Sequence, residues 1–153
     1  MIDPNAAIKT MNYAFLKNKR IAAIDFGLVR VGIAVTDELH ISITPKITLL
    51  YQKIDFWEKL VNLLKAERIG GIVVGIPFEQ NGEYSLKEEI DIFIDRLNRK
   101  ADIPIFFQDE SYTSVKAVDT MLEIGKKKKK RTEKGMKDRI AAAIILKDFL
   151  DNL

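Results

Sequence analysis

The apolar positions in the first third of the chain fall in short runs that are typical of β-strands. The runs RIAAID (residues 20–25) and RVGIAVT (residues 30–36) are separated by a four-residue turn in which Gly27 is free to take a positive φ. A third run, ISITPKITLLY (residues 41–51), contains Pro45, which favours an edge strand or a bulge. No helical pattern fits between these runs, so they are predicted to form an antiparallel meander.

The apolar period changes to that of a helix after residue 54. The segment DFWEKLVNLLKAERIG (residues 55–70) repeats apolar residues at helical spacing, with Asp55 as a possible cap and Gly70 as the predicted end. The run GIVVGIP (residues 71–77) is apolar throughout, which is typical of a strand buried on both faces. This part of the chain therefore predicts a helix followed by a buried strand.

Two further units follow in the second half. Ser85 opens a capping box, SLKE, at the start of a second helix, and IPIFFQDE (residues 103–110) predicts the last strand. Helices are predicted at residues 113–125 and from about Met136 onwards. The element order is then βββαβαβαα. Right-handed crossovers give an α/β fold with a five-stranded mixed sheet, order 3-2-1-4-5, and helices on both faces, the ribonuclease H-like arrangement.

The composition favours one folded domain in a reducing compartment. The chain has 153 residues and no cysteine, which excludes disulfides, thiolate zinc sites and a cysteine nucleophile. Its longest apolar run, residues 140–146, is too short to cross a bilayer. We therefore expect a tail over residues 1–18, a single domain over residues 19–153, and a cytoplasmic protein without a membrane partner, monomeric or weakly dimeric. The net charge of +3 permits a nucleic-acid partner without requiring one.

Acidic residues fall where the predicted strands end. Ligands of open α/β sheets bind outside the carboxyl ends of the parallel strands, which is where Asp25 and Glu110 are expected. Asp37 and Glu38 are excluded, because the second strand runs the other way. Asp138, in the first turn of the last helix, either complements the helix dipole or faces Asp25. Clustered carboxylates repel one another and so favour a divalent cation, Mg²⁺ or Mn²⁺.

The predicted site has one geometric difficulty. The first and fifth strands are separated by the fourth, which puts their backbones about 10 Å apart. The longer side chain of Glu110 and the absence of a side chain at Gly75 favour contact across that gap. The simpler alternatives are that Asp25 caps a turn and that Glu110 is an acid at a helix start.

Five short motifs in this order resemble the YqgF (RuvX) family, the pre-16S rRNA nucleases with a ribonuclease H-like fold. They are DFGLVRVGIA (residues 25–34), VVGIP (residues 73–77), NG (residues 81–82), DESYTS (residues 109–114) and DRIAA (residues 138–142). The resemblance implies Mg²⁺- or Mn²⁺-dependent cleavage of structured RNA or DNA, with Asp25, Glu110 and Asp138 as catalytic and metal-binding residues. Trimming of the 5′ end of pre-16S rRNA is the implied role, and resolution of Holliday junctions is the alternative. The chain departs from the family at Ser111, where an arginine is expected.

Basic residues supply candidate contacts to nucleic acid. Arg30 either braces the first hairpin or contacts a phosphate, and Arg139 lies beside Asp138 in the last helix. The run between the last two predicted helices is either a solvated loop or a phosphate-binding segment. Its candidate contacts are Lys126, Lys127, Lys128, Lys129, Lys130 and Arg131.

Two other functions fit parts of the sequence. A nucleic-acid-binding or ribosome-assembly factor without catalysis could keep the fold, and Ser111 is the residue that favours it. An actin-like ATP phosphotransferase also uses an Asp-x-Gly hairpin, but it needs two such domains around the nucleotide, and 153 residues provide one.

Overall fold

A computed structural model describes residues 12–77, 86–110 and 135–153. The strands are β1 (Arg20–Asp25), β2 (Arg30–Thr36), β3 (Ile43–Leu50), β4 (Ile69–Pro77) and β5 (Ile105–Glu110). The helices are α1 (Phe56–Ala66), α2 (Lys87–Lys100) and α3 (Met136–Asp151). They follow in the order β1-β2-β3-α1-β4-α2-β5-α3, which agrees with the predicted order for these eight elements. The helix predicted at residues 113–125 lies outside the described residues.

The sheet has the strand order β3-β2-β1-β4-β5, which confirms the predicted topology. β1 pairs antiparallel with β2 and parallel with β4, and β4 pairs parallel with β5. β3 is the edge strand that Pro45 predicts, and its register against β2 shifts where Ala34 pairs with Pro45. The irregularity occurs there because proline has no N–H to donate to the ladder.

Helices cover both faces of the sheet. α1 and α2 pack on one face, where Phe56, Phe93 and Leu97 are almost completely buried. α3 packs on the other face through Leu146 and its apolar neighbours. Burial of each such side chain contributes about 1.5–3 kcal/mol, and replacing Phe93 by alanine would cost about 3–5 kcal/mol, because it would also leave a cavity.

The capping box predicted at Ser85 is wrong, because the N-cap of α2 is Leu86, with φ 58° and no side-chain cap hydrogen bond.

Three further local predictions about turns and helix ends need correction. α1 ends at Ala66 and not at Gly70, because Arg68 takes the left-handed conformation with φ 54° and Gly70 already belongs to β4. Asp55 is at the N-cap position of α1, but its carboxylate pairs with Lys59 at 3.2 Å and makes no cap hydrogen bond. Gly27 has no positive φ; a Cβ there would lie 2.5 Å from the Arg30 carbonyl oxygen.

The residues before β1 contact the domain. Residues 12–16 are helical, and Leu16 is fully buried in the core that α3 covers. The predicted boundary between a tail and the domain at residue 18 stays a prediction, as does the single domain over residues 19–153. Within the described ranges, no helix is both long enough and apolar enough to cross a membrane.

Candidate active site

Asp25 and Glu110 meet at one edge of the sheet. Asp25 ends β1 and Glu110 ends β5, and Glu110 lies close enough to raise the pKa of the Asp25 carboxyl by its charge and by side-chain hydrogen bonding. Gly75 of β4 lies between them: a Cβ at this position would lie 2.9 Å from Oε1 of Glu110 and would overlap Cδ1 of Ile145. The glycine therefore leaves the space through which Glu110 reaches Asp25, and the contact expected across β4 is present.

The contact changes the acidity of Asp25. The pKa of its carboxyl is raised well above the ordinary value of 3.8, first because the group is buried and then because of the charge of Glu110 and the hydrogen bond with it. The charge of Asp138 raises this pKa further, while Lys137 lowers it. Asp138 therefore acts electrostatically on Asp25, and the three predicted acids share one region.

The first turn of α3 lies directly on β2. Gly32 is the cross-strand partner of Asp25, and a Cβ at Gly32 would overlap the backbone carbonyl of Asp138. Because cross-strand partners share a face of the sheet, Gly32 is the place where α3 can approach on the side of Asp25. This close approach of two backbones explains how Asp138 reaches the strand ends from a helix near the end of the chain.

Arg30 binds the third acid. Its Nε donates to Oδ2 of Asp138 at 3.0 Å, and the two side chains are 42% and 22% exposed. A pair this exposed stabilises the fold by only about 0.2–1 kcal/mol, so its main effect is to orient the Asp138 carboxylate. Neither alternative considered from the sequence, a hairpin brace or a phosphate contact, included this pairing.

Two residues that the sequence reasoning missed anchor the same helix. Gly135 is the N-cap of α3 with φ 87°, and no side chain caps the helix. The hydroxyl of Thr48 on β3 donates to the Gly135 carbonyl oxygen at 2.6 Å. Glycine is one of the residue types found at helix N-caps, so Gly135 was a usable signal. Thr48 gave none, because it is 87 residues away in sequence.

The donor set of this site fits Mg²⁺ or Mn²⁺. All the candidate ligands are carboxylate oxygens, and Oε1 of Glu110 is buried without a hydrogen-bond partner. As the side chains stand, the described residues include no group of three or more His, Cys, Asp or Glu that could hold a metal ion, and Asp138 is paired with Arg30. Mg²⁺ is commonly held by one or two carboxylates together with substrate phosphates, so Asp25 and Glu110 would be enough protein ligands for such an ion.

Asp37 and Glu38 lie at the opposite edge, as predicted. They follow β2, and Oδ1 of Asp37 accepts hydrogen bonds from the backbone amides of Ile41 and Ser42 at 2.8 and 3.3 Å. Asp37 therefore stabilises the turn between β2 and β3.

The basic candidates are only partly described. Arg139 is half-buried in the first turn of α3, next to Asp138. The segment from Lys126 to Arg131 and the departure at Ser111 lie outside the described residues. Their contacts to nucleic acid stay predictions.

Comparison with known proteins decides the family. A family model described as "RuvX: Holliday junction resolvase" matches residues 19–152. The chain belongs to the RuvX family. This membership confirms the resemblance carried by the five sequence motifs, and the match includes Asp25, Glu110 and Asp138.

The match with each of three relatives extends over nearly the whole length of that relative. A protein of Bacteroides fragilis is 39% identical over 135 residues, 86% of this chain and 96% of the relative. A protein of Phocaeicola vulgatus is 42% identical over 136 residues, 87% of this chain and 96% of the relative. A protein of Orientia tsutsugamushi is 35% identical over 150 residues, 97% of this chain and 94% of the relative. All three are named "Putative pre-16S rRNA nuclease". A solved structure of T. thermophilus RuvC in complex with Holliday junction substrate has a TM-score of 0.48 and 14% identity, covering 87% of this chain and 96% of that chain.

Proposed function

We propose that this chain is a divalent-metal-dependent nuclease that hydrolyses phosphodiester bonds in structured nucleic acid, and that it processes the 5′ end of pre-16S rRNA. The names of its relatives support the choice of RNA. The family, the strand order and the acids at the strand ends support the choice of reaction.

The observation that carries the proposal is the contact between Asp25 and Glu110. Burial and the neighbouring Glu110 carboxyl group both raise the pKa of Asp25, so the site opposes the ionisation of Asp25. A bound cation would relieve that repulsion and satisfy the buried Oε1 of Glu110. A structural role alone gives no reason to bring two acids together in this way.

The surrounding residues have separate roles in the proposed reaction. Asp25 and Glu110 would hold Mg²⁺ or Mn²⁺, and Asp138 would complete the acidic site. When bound, the ion supplies positive charge that stabilises the attacking and leaving oxygens of a phosphodiester. Arg30 holds Asp138, and Lys137 adds positive charge beside Asp25, which lowers the repulsion between the site and an anionic substrate.

Cleavage of Holliday junctions is the second candidate, because the matching family model carries that description. Both substrates offer phosphodiesters in structured nucleic acid to the same site. A binding or assembly factor without catalysis is the third possibility and would show no cleavage of either substrate.

The test compares cleavage by the wild type and by Asp25→Asn. The substrates are an RNA that contains the 5′ leader of 16S rRNA and a synthetic four-way DNA junction, each with Mn²⁺ or with a chelator. We expect metal-dependent cleavage of the RNA by the wild type. Asp25→Asn should lower the rate at least about a hundredfold, because several kcal/mol of charge stabilisation are removed and each 1.4 kcal/mol is about tenfold in rate.

Glu38→Gln is the matched control, because it removes one carboxylate at the opposite edge of the sheet, where the residue is exposed. It should cleave like the wild type. The affinity of Asp25→Asn for nucleic acid should stay equal or rise, since a negative charge that faces phosphates is gone. Equal cleavage by the wild type and Asp25→Asn would refute the site, and cleavage of the junction alone would select the second candidate.

A further inference from the structure

Three residues form a row across the first three strands. Asp25 on β1 is paired with Gly32 on β2, and Gly32 is paired with Thr48 on β3. Residues paired directly across a sheet project to the same face. The first turn of α3 lies along this row: the carbonyl of Asp138 lies over Gly32, and the carbonyl of Gly135 meets Thr48.

The hydrogen bond from Thr48 is short compared with those inside the first turn of α3. Its hydroxyl oxygen is 2.6 Å from the Gly135 carbonyl oxygen. The same carbonyl accepts from the amides of Asp138 and Arg139 at the longer distances of 3.2 and 3.5 Å. The Thr48 bond does not cap the helix, because it donates to a carbonyl and satisfies no free N–H group; instead it ties the N-cap residue Gly135 to β3.

We propose that Thr48 is a positioning residue: its hydroxyl fixes the Gly135 carbonyl, and thereby holds the first turn of α3 where Asp138 faces Asp25. The catalytic part of this inference rests on the proposed nuclease function. The hydrogen bond of Thr48 goes to the backbone of Gly135 and not to any of the three acids, so Thr48 acts on the site through that backbone. Arg30 orients the Asp138 carboxylate, whereas Thr48 locates the backbone that carries it.

Gly135 and Thr48 are packed against each other as well as hydrogen-bonded. Gly135 has φ 87°, and a Cβ on it would lie 3.0–3.1 Å from three atoms of Thr48. The two residues are therefore in van der Waals contact as well as hydrogen-bonded. A valine at position 48 keeps the shape and removes the donor, while a serine keeps the donor and removes a methyl group.

The test has two readouts on Thr48→Val, Thr48→Ser and Thr44→Val. Thr44 is an exposed threonine of the same strand and serves as the control. The first readout is amide hydrogen exchange at Asp138 and Arg139 by NMR, without metal or nucleic acid. Thr48→Val should exchange about tenfold faster at both amides, the factor expected when one hydrogen bond is removed. Thr48→Ser and Thr44→Val should stay within about twofold of the wild type at these amides.

The second readout is steady-state cleavage. Thr48→Val should lower kcat about tenfold and change KM less than about twofold, since a displaced catalytic group affects the reaction more than binding. Thr48→Ser should recover most of the missing rate. Should the valine variant not fold, Thr48→Ala takes its place under the same criteria.

The outcomes separate this inference from the proposed function. Unchanged amide exchange in Thr48→Val overturns the positioning role, and so does faster exchange combined with an unchanged kcat. A wild type that cleaves nothing refutes the proposed nuclease, yet the exchange data still decide whether Thr48 fixes the start of α3. An equal loss of kcat in Thr44→Val would indicate a general effect on the strand and would also overturn the inference.

Discussion

Arg30 and Asp138 form an ion pair of 3.0 Å although 108 residues separate them in sequence. Arg30 opens β2 and Asp138 lies in the first turn of α3, so the pair joins the first hairpin to the last helix. The bond uses Nε of the guanidinium, which has further N–H donors on its two terminal nitrogens. The same side chain can therefore hold Asp138 and face a substrate phosphate.

We expect Arg30→Gln to weaken nucleic-acid binding and to reduce cleavage. Removing one cation that neutralises a phosphate lowers the slope of log affinity against log salt by about one unit. Binding of a labelled RNA hairpin at several salt concentrations measures the slope. Arg30→Lys keeps the charge and is the control. If the slope of log affinity against log salt is unchanged in Arg30→Gln, Arg30 neutralises no phosphate and its role is to bind Asp138.

Asp25→Asn should make the protein more stable at neutral pH. The folded-state pKa of Asp25 is raised by burial and by Glu110, so ionisation of this group opposes folding at every pH above the ordinary carboxyl pKa. The stabilising effect of the substitution should shrink as the pH falls through the raised pKa and vanish below the unfolded-state value of about 3.9. Thermal unfolding of the wild type and the variant from pH 3 to pH 8 measures this difference in stability. A variant less stable than the wild type at pH 8 would contradict the raised pKa.

Mn²⁺ should stabilise the wild type against thermal unfolding. An ion that binds only the folded state raises the free energy of unfolding by about 2.7 kcal/mol at a hundred times its Kd. Asp25→Asn and Glu110→Gln should lose most of this rise, and Glu38→Gln should keep it. An equal rise in all four proteins would place the ion elsewhere.

Gly32→Ala should destabilise the protein by about 1–3 kcal/mol, because the new methyl group overlaps the backbone of α3. Gly70→Ala is the matched control: its Cβ would lie 3.0–3.2 Å from the nearest atoms, those of the Lys19 side chain, so a shift of about a few tenths of an ångström would relieve the contact. Urea unfolding compares the two free energies. An equal loss of unfolding free energy in the two variants would mean that α3 does not pack closely against Gly32.

Neutralising Lys126 to Lys130 should weaken the salt dependence of nucleic-acid binding. The slope of log affinity against log salt should become shallower by up to about 0.9 for each phosphate that these lysines would otherwise neutralise. Neutralising Lys65 and Arg99 is the control. These two lie near the ends of α1 and α2, which lead into the starts of β4 and β5, away from the acidic strand ends. An unchanged slope would make the lysine run a solvated segment.

The topology and the acidic pair were predictable because general rules determine them. Crossover handedness fixes the strand order, and the same rule brings the ends of β1 and β5 to one edge. Asp25 and Glu110 follow from their positions at strand ends. Gly75 was recognised for the space it leaves.

The other features of the site and of the helix ends depend on tertiary contacts, which the hydrophobic periodicity of the sequence does not predict. Thr48 meets Gly135 and Arg30 meets Asp138 only because α3 folds back over β2. Gly70 suggested a helix end from composition, but a nearby arginine, Arg68, adopts the left-handed conformation instead. The pattern shows which residues can end an element, whereas the surrounding packing decides which one does.

The dependence of the site on α3 has a consequence for the newly made protein. A ribosome synthesises the hairpin that carries Asp25 before the helix that carries Asp138. At about 5–20 residues per second, the nascent chain exists for several seconds without its third acid or the partner of Arg30. The three acids can therefore come together only after translation has passed Asp138.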